Sequence, residues 1–152
     1  MTEPRATVSI DAVLVLAGGE GRRLGGPKAW LEWQGAPLLI HLLEQLGGLT
    51  DRVPLVAAGP GTELPQGRFR RVDDAAPGTG PLGGLAAGLG VLETSLPEAR
   101  VAVAACDLPF ADPRLFRFLA EVAPPGADVV LPGHGGRLHP LAGVWRAGWG
   151  GV

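Results

Sequence analysis

Short runs of continuously apolar residues are the feature that most restricts how this chain of 152 residues folds. Residues 13–17, 53–58 and 101–105 carry no charged side chain, and each run ends at a glycine or at the pair Cys106-Asp107. Strands that are apolar on both faces are typical of a parallel sheet covered by helices, whereas a sheet with one solvated face alternates apolar and polar residues. These runs therefore predict buried parallel strands. Weaker strands are predicted over residues 69–72, 128–131 and 141–145.

Three segments with helix boundary signals lie between the predicted strands. Residues 37–46 begin at a proline and precede Gly47-Gly48, residues 81–92 also begin at a proline, and residues 112–122 begin with Asp112 as N-cap. Strands that alternate with helices indicate the α/β class. We expect a single domain over residues 1–152, with a mostly parallel sheet and helices on both faces.

The charge and the cysteine content exclude several classes of function. Lys and Arg number 13 and Asp and Glu number 15, so the formal net charge is −2 and provides no overall field for nucleic acid or an anionic membrane. The single cysteine, Cys106, cannot form an internal disulfide, which favours a reducing cytoplasm. The N-terminal residues resemble no signal peptide, and no apolar run is long enough to span a bilayer. We therefore expect a cytoplasmic protein whose basic site is local.

The most unusual local segment is LAGGEGRRLGGPKAW, residues 16–30, which begins with the last two residues of the first predicted strand. Glycines let backbone N–H groups approach an anion closely, and Arg22, Arg23 and Lys28 add donors suited to phosphate oxygens. The segment is not a Walker A motif, because Ala29 follows Lys28, and Leu24 breaks the GxGxxG pattern of dinucleotide-binding proteins. The alternative is a flexible surface loop with solvated arginines.

Carboxylates follow two further predicted strands. Asp107 comes directly after residues 101–105, and the carboxyl ends of parallel strands meet at one edge of a sheet, where α/β proteins bind ligands. A carboxylate there can hold Mg²⁺, although Asp107 can equally be a turn residue. Asp73 and Asp74 can contact a base, a ribose or a metal, or be solvated acids. We expect Cys106 to be a packing residue and His139 to be structural or to lie at the rim.

Taken together, these segments resemble the molybdenum cofactor guanylyltransferases of the MobA-like nucleotidyltransferase family. Residues 16–28 are similar to the family signature LAGG-x-S-x-R-M-G-x-x-K, and three further segments follow in the family's order. Residues 74–84 are similar to its D…GPL-A-G element, residues 105–110 to its CD-M-PF element, and residues 139–141 to its HPL element. The resemblance spans residues 11–146.

The resemblance implies a Rossmann-like enzyme that transfers GMP from GTP to molybdopterin with Mg²⁺ and releases pyrophosphate. It implies that the catalytic residues are Arg23, Lys28 and Asp107, and that Asp107 is the metal ligand. It further implies GTP and molybdopterin as substrates, with no nucleic acid or membrane partner; self-association and contacts with other proteins of the molybdenum cofactor pathway stay open. The residues that it implies for nucleotide binding are Leu16, Ala17, Gly18, Gly19, Lys28, Asp74 and Asp107.

Two departures from the family pattern keep other functions open. Gly21 stands where the signature has serine, and family members usually continue beyond the HPL segment, so we expect the C-terminal end to be shortened on the molybdopterin side. The alternatives are a non-catalytic nucleotide-binding protein, a CTP-dependent molybdopterin cytidylyltransferase and a sugar-1-phosphate nucleotidyltransferase. Gly18-Gly19 favours GTP, because the cytidylyltransferases usually have LAAG in place of LAGG.

Overall fold

The computed structural model describes residues 8–18, 28–74, 80–108 and 111–151. Its central element is a six-stranded sheet with the strand order β5-β4-β1-β6-β10-β7. The strands of this sheet are β1 (Ala12–Leu16), β4 (Leu55–Ala58), β5 (Arg70–Asp73), β6 (Arg100–Ala105), β7 (Val129–Val130) and β10 (Ala142–Arg146). Two small hairpins lie outside it: β2 (Glu32–Trp33) with β3 (Ala36–Pro37), and β8 (Gly133–His134) with β9 (Arg137–Leu138).

Three helices cover the sheet: α1 (Leu38–Leu46), α2 (Pro81–Glu93) and α3 (Pro113–Val122). Asp112 caps α3 as the sequence predicts, because its side chain accepts a hydrogen bond from the backbone N–H of Arg114 at 2.8 Å. Helix α1 ends at Leu46, directly before Gly47-Gly48 as the sequence predicts, and the chain continues into a short 3₁₀ helix over Gly47–Leu49. No helix in the described ranges is long and apolar enough to cross a membrane.

The strands β1, β4 and β6 are buried on both faces of the sheet, as their apolar sequences predict. Val13 and Val15 of β1 point into one cluster, with Leu39 of α1 and Phe116 of α3. Leu14 and Leu16 point into the other cluster, which α2 covers. The predicted α/β class, with a mostly parallel sheet and helices on both faces, is therefore confirmed.

The direction of the last long strand is a feature that the sequence did not reveal. β1 pairs in parallel with both β4 and β6, and β5 pairs in parallel with β4. β10 instead runs antiparallel to both β6 and β7. As a result, β10 begins at the edge of the sheet where β1, β4, β5 and β6 end.

Helix α2 packs very close to the sheet. A Cβ atom added at Gly88 would overlap with the methyl carbons of Leu14, and one added at Gly84 would lie 3.4 Å from the Cβ of Ala57. Gly90 on the same helix has nothing within 4 Å of such an atom. Gly88 is therefore needed for the helix–sheet contact, whereas Gly90 is not.

Candidate active site

The carboxyl edge of the sheet brings several of the predicted site residues together. Ala17 N donates to Ala57 O at 2.8 Å and Cys106 N donates to Leu16 O at 3.0 Å, so the loops after β1 and β6 start side by side. Asp107 is the next residue along the second of these loops. The sequence-based expectation that the ends of these strands share one edge is confirmed.

The strand order also makes a crevice at this edge. The chain leaves β1 through α1 and reaches β4 on one side, whereas it leaves β6 through α3 and reaches β7 on the other side. Two neighbouring parallel strands whose connections diverge in this way form the crevice in which open α/β sheets bind ligands. The switch point of this sheet lies between β1 and β6.

Lys28 and Asp107 meet across that switch point. Lys28 Nζ lies 3.1 Å from Asp107 Oδ2, and the two side chains are 35% and 46% exposed. Lys28 starts a 3₁₀ helix over Lys28–Trp30, whose middle residue, Ala29, is completely buried in the core. Ala29 thus anchors the turn, while Lys28 faces the loop that follows β6.

This ion pair contributes little to the stability of the fold. Pairs between solvent-accessible side chains add between zero and about 1 kcal/mol, because water screens the attraction and both side chains lose freedom. A lysine and a carboxylate held in reach of solvent are also the two charges that phosphate and a divalent cation require. The arrangement therefore suits ligand binding better than it suits stabilisation.

The residues near Asp107 are compatible with Mg²⁺ in one respect, which is the supply of a carboxylate ligand. Within the described ranges, no group of three or more His, Cys, Asp and Glu side chains is placed to hold a metal ion. Mg²⁺ commonly binds through one or two carboxylates and takes its other ligands from water and substrate phosphates. Asp107, half-exposed at the crevice, can supply one such carboxylate.

The first residues of the loop after β1 differ in what they offer a ligand. Leu16 and Ala17 are buried, so their side chains face the core and only backbone atoms are available to a nucleotide. Gly18 is exposed, and a Cβ atom added there would have nothing within 4 Å, so its backbone is open to approach. Gly19, Arg22 and Arg23 lie outside the described residues, and their roles stay predictions.

Asp74 lies at the same edge but away from the Lys28–Asp107 pair. It follows β5, and its N–H donates to Ala58 O at 2.9 Å. Three strand spacings separate β5 from β6, which amounts to about 14 Å. Of the roles considered for Asp74, contact with a base or ribose thus fits better than a share in a metal site at Asp107.

Arg71 is a residue of this edge that the sequence reasoning missed. Its Nε donates to Asp73 Oδ1 at 2.7 Å, and its two Nη atoms donate to Gly59 O and Thr62 O in the loop after β4. The Asp73 carboxylate, which the sequence analysis considered as a contact for a base, a ribose or a metal, is thus paired with Arg71. The only available signal was the alternation of Arg71 and Asp73 on an edge strand, since the carbonyl partners depend on the tertiary fold.

The side chain of Trp30 also contacts the loop after β4. Its indole N–H donates to Glu63 O at 2.9 Å, so a hydrogen bond links the turn that carries Lys28 to the loop after β4.

A shallow depression of about 540 Å³ lies beyond the loop after β4, lined by residues 64–67 with Phe69 and Arg71. It contains none of the predicted site residues, so we do not identify it with the candidate site.

Cys106 is a packing residue, as predicted. Its side chain is 2% exposed in the cluster covered by α1 and α3. Burial raises the pKa of the thiol to about 11, with a further increase from the charge of Asp107 and a partial decrease from Lys28. The thiol stays protonated at neutral pH and is a poor nucleophile.

Comparison with known proteins places the chain in a family. The MobA-like NTP transferase domain matches residues 13–151. A molybdenum cofactor guanylyltransferase of Pseudomonas putida is 35% identical over 135 residues, which cover 88% of this chain and 69% of the relative. A "probable molybdenum cofactor guanylyltransferase" of Mycobacterium avium is 41% identical over 140 residues, covering 89% of this chain and 68% of the relative.

Solved structures share the fold. The molybdopterin-guanine dinucleotide biosynthesis protein A of Archaeoglobus fulgidus superposes with a TM-score of 0.66 at 24% identity, covering 90% of this chain and 67% of that one. A 2-C-methyl-D-erythritol 4-phosphate cytidylyltransferase of Thermus thermophilus superposes with a TM-score of 0.59 at 25% identity, covering 91% and 71%. Given the domain match over residues 13–151 and relatives above 30% identity, the chain belongs to the MobA-like NTP transferase family and is a nucleotidyltransferase.

Proposed function

We propose that this protein transfers GMP from GTP to molybdopterin, giving molybdopterin guanine dinucleotide and pyrophosphate. The observation that supports the proposal most strongly is the contact of Lys28 Nζ with Asp107 Oδ2 at the β1–β6 switch point. It joins the two charged residues that the family signature and the CD-M-PF element predict for phosphate and metal. The guanylyltransferase names of the relatives at 35% and 41% identity support the choice of reaction.

The proposed reaction needs charge neutralisation and alignment more than proton transfer. An oxygen of the molybdopterin phosphate forms a bond to the α-phosphorus of GTP. The bond from that phosphorus to the bridging oxygen of the β-phosphate breaks, and pyrophosphate leaves with the electron pair. Because the attacking phosphate is already anionic, no strong general base is required. Catalysis then depends on bringing like-charged groups together in line.

Each predicted residue has a role in this scheme. Lys28 binds phosphate oxygens of GTP, and Arg23 lies beside the triphosphate. Backbone atoms of Leu16, Ala17, Gly18 and Gly19 bind the nucleotide, and Asp74 contacts its base or ribose. These assignments follow from the family resemblance together with the positions of the described residues among them.

Nucleotidyltransferases generally use a divalent metal, and we propose Mg²⁺ held by Asp107. A Mg²⁺ ion held by Asp107 would supply positive charge that offsets the negative charge of the triphosphate and of the leaving pyrophosphate. Lys28 contributes a second positive charge to the same phosphates. On this scheme, binding of GTP draws Lys28 away from Asp107, because its ammonium group then donates to phosphate oxygens.

The wider setting is also part of the proposal. We propose that the reaction takes place in the cytoplasm, which the single, buried cysteine supports. We further propose that residues 1–152 act as one nucleotidyltransferase domain. GTP and molybdopterin are its small-molecule partners, and the net charge of −2 gives no support for a nucleic acid or membrane partner.

CTP is the competing donor, because the fold is shared with a cytidylyltransferase of Thermus thermophilus. The test supplies molybdopterin with GTP, CTP or ATP and Mg²⁺, and measures pyrophosphate release. We expect release with GTP alone. Release with CTP in preference to GTP would overturn the proposed donor, and release with a sugar 1-phosphate in place of molybdopterin would overturn the proposed acceptor.

A further inference from the structure

A hairpin at the carboxyl edge presents three nitrogen-bearing side chains on one face. Gly133 pairs with Leu138 and His134 with Arg137, and His139 N donates to Pro132 O at 2.9 Å, which continues the same register. Directly opposed residues, and residues two apart on one strand, share a face of a β-ribbon. His134, Arg137 and His139 therefore lie on one face, which we call the hairpin face. Leu138 lies on the opposite face.

The turn of this hairpin is built to hold the register. Gly135 and Gly136 have φ values of +58° and +78°, as a type I′ turn requires at both central positions. A two-residue turn of this type suits the twist of the strands that it joins. The short turn fixes the pairing register of the hairpin, and this register places the three side chains on the hairpin face.

The hairpin projects from the same edge as the candidate active site. It joins the end of β7 to the start of β10, and Ala105 N at the end of β6 donates to Leu141 O at 2.9 Å. One and two strand spacings separate β6 from β10 and from β7, which correspond to about 5 and 10 Å. A phosphorylated small molecule can therefore contact both the hairpin and the crevice beside Asp107.

Within the part of the chain that the structure describes, the charge of Arg137 is not paired with a carboxylate. Residues 129–152 include no Asp or Glu, and His134, Arg137 and His139 are exposed. Arg71, Arg114 and Arg146 each pair with a carboxylate. Among the described residues, the Arg137 guanidinium forms no ion pair or hydrogen bond. Its planar fork of donors remains available for an oxyanion.

We propose that the hairpin face binds the phosphate of the acceptor substrate, with Arg137 as its main donor. This inference rests on the proposed function, in which an acceptor phosphate must approach the α-phosphate of a bound triphosphate. Lys28 and Asp107 serve the donor nucleotide, so a second source of positive charge is needed to hold the acceptor against repulsion. Arg137 donates to two phosphate oxygens and the imidazoles of His134 and His139 add donors, while a third phosphate oxygen stays free to attack the α-phosphorus.

The test compares Arg137→Ala with two matched controls. Arg68→Ala removes another exposed arginine, near the start of β5, and Leu138→Ala truncates the opposite face of the same hairpin. We expect Arg137→Ala to raise the KM for molybdopterin about tenfold or more, as the loss of a charge-assisted hydrogen bond predicts, and to leave the affinity for GTP unchanged. Arg137→Lys should fall in between, because lysine keeps the charge but lacks the fork. Both controls should match the wild type.

Direct binding separates this inference from the proposed function. Equilibrium dialysis with molybdopterin, without GTP, measures acceptor binding and needs no turnover. Weaker binding by Arg137→Ala than by the wild type and both controls supports the inference, even if no GMP transfer is seen and the proposed function fails. Equal binding by Arg137→Ala and the wild type, or no binding of molybdopterin by the wild type, would overturn it.

Discussion

At the scale of single residues, the proposed reaction depends on Lys28 and Asp107. The buried Ala29 positions Lys28, and the end of β6 positions Asp107, so neither side chain is needed to fill the core. Their 3.1 Å contact is solvent-accessible and adds little to stability. Changes at these two positions should therefore separate activity from folding.

Lys28→Ala and Asp107→Ala should each lower the rate of pyrophosphate release by about 10²-fold or more, the usual effect of removing one charge-stabilising group from an active site. Their melting temperatures should stay close to that of the wild type. Steady-state assays with GTP and molybdopterin and thermal melts measure both quantities, and Arg68→Ala is a control for loss of surface charge. Near-normal turnover in either variant would show that the site is assigned wrongly.

Cys106 gives a prediction about pH at the same scale. The pKa of its thiol rises from the ordinary value of 9.0 to about 11 in the folded protein, chiefly because of burial. Between these values the unfolded chain loses the proton while the folded chain keeps it, so the stabilisation present below pH 9 is lost as the pH rises towards 11. Denaturant titrations at about pH 8 and about pH 10.5 should show a larger loss of stability for the wild type than for Cys106→Ala. Equal losses of stability in the wild type and in Cys106→Ala would contradict the assignment of this pH dependence to Cys106.

At the scale of secondary structure elements, α2 shows how close packing outweighs helix propensity. Its glycines lower the propensity of the segment, yet the helix runs over Pro81–Glu93. Gly88 leaves room for Leu14, whereas Gly90 faces open space. The sequence predicts the helix, but it does not reveal which glycine is indispensable.

Gly88→Ala should destabilise the protein by about 1–3 kcal/mol, because the new methyl group overlaps with Leu14 in a filled core. Gly90→Ala is the matched control on the same helix. It should stabilise the protein by up to about 1 kcal/mol, since alanine favours the helix and meets no neighbour. Chemical denaturation of the two variants measures this contrast, and equal effects would argue against the close approach of α2 to the sheet.

The other elements fall into two groups: those with a local sequence signal, which could be predicted, and those without one, which could not. Continuous apolar runs predict β1, β4 and β6, and the Asp112 N-cap predicts the start of α3, because burial on both faces and capping leave a direct mark on the sequence. The β8–β9 hairpin and the antiparallel direction of β10 were not predicted. The first rests on two adjacent glycines in a glycine-rich chain, and the second depends on which strands pair across the sheet.

At the scale of the whole molecule, the strand order creates the crevice of the candidate site. The chain turns to opposite sides after β1 and after β6, and this divergence opens the crevice that Lys28 and Asp107 share. From the sequence, both residues could be placed at one edge of the sheet. Their contact and the distance of Asp74 from it required the order β5-β4-β1-β6, which no local pattern specifies.

The fold does not determine which nucleotide is used, since the chain superposes both on a guanine dinucleotide biosynthesis protein and on a cytidylyltransferase. The donor must therefore be measured. Pyrophosphate release with molybdopterin, Mg²⁺ and each of GTP, CTP and ATP, compared between the wild type and Asp107→Ala, tests the central claim most directly. We predict release with GTP alone, lost in Asp107→Ala. A preference for CTP, or release that is unaffected by the loss of Asp107, would contradict it.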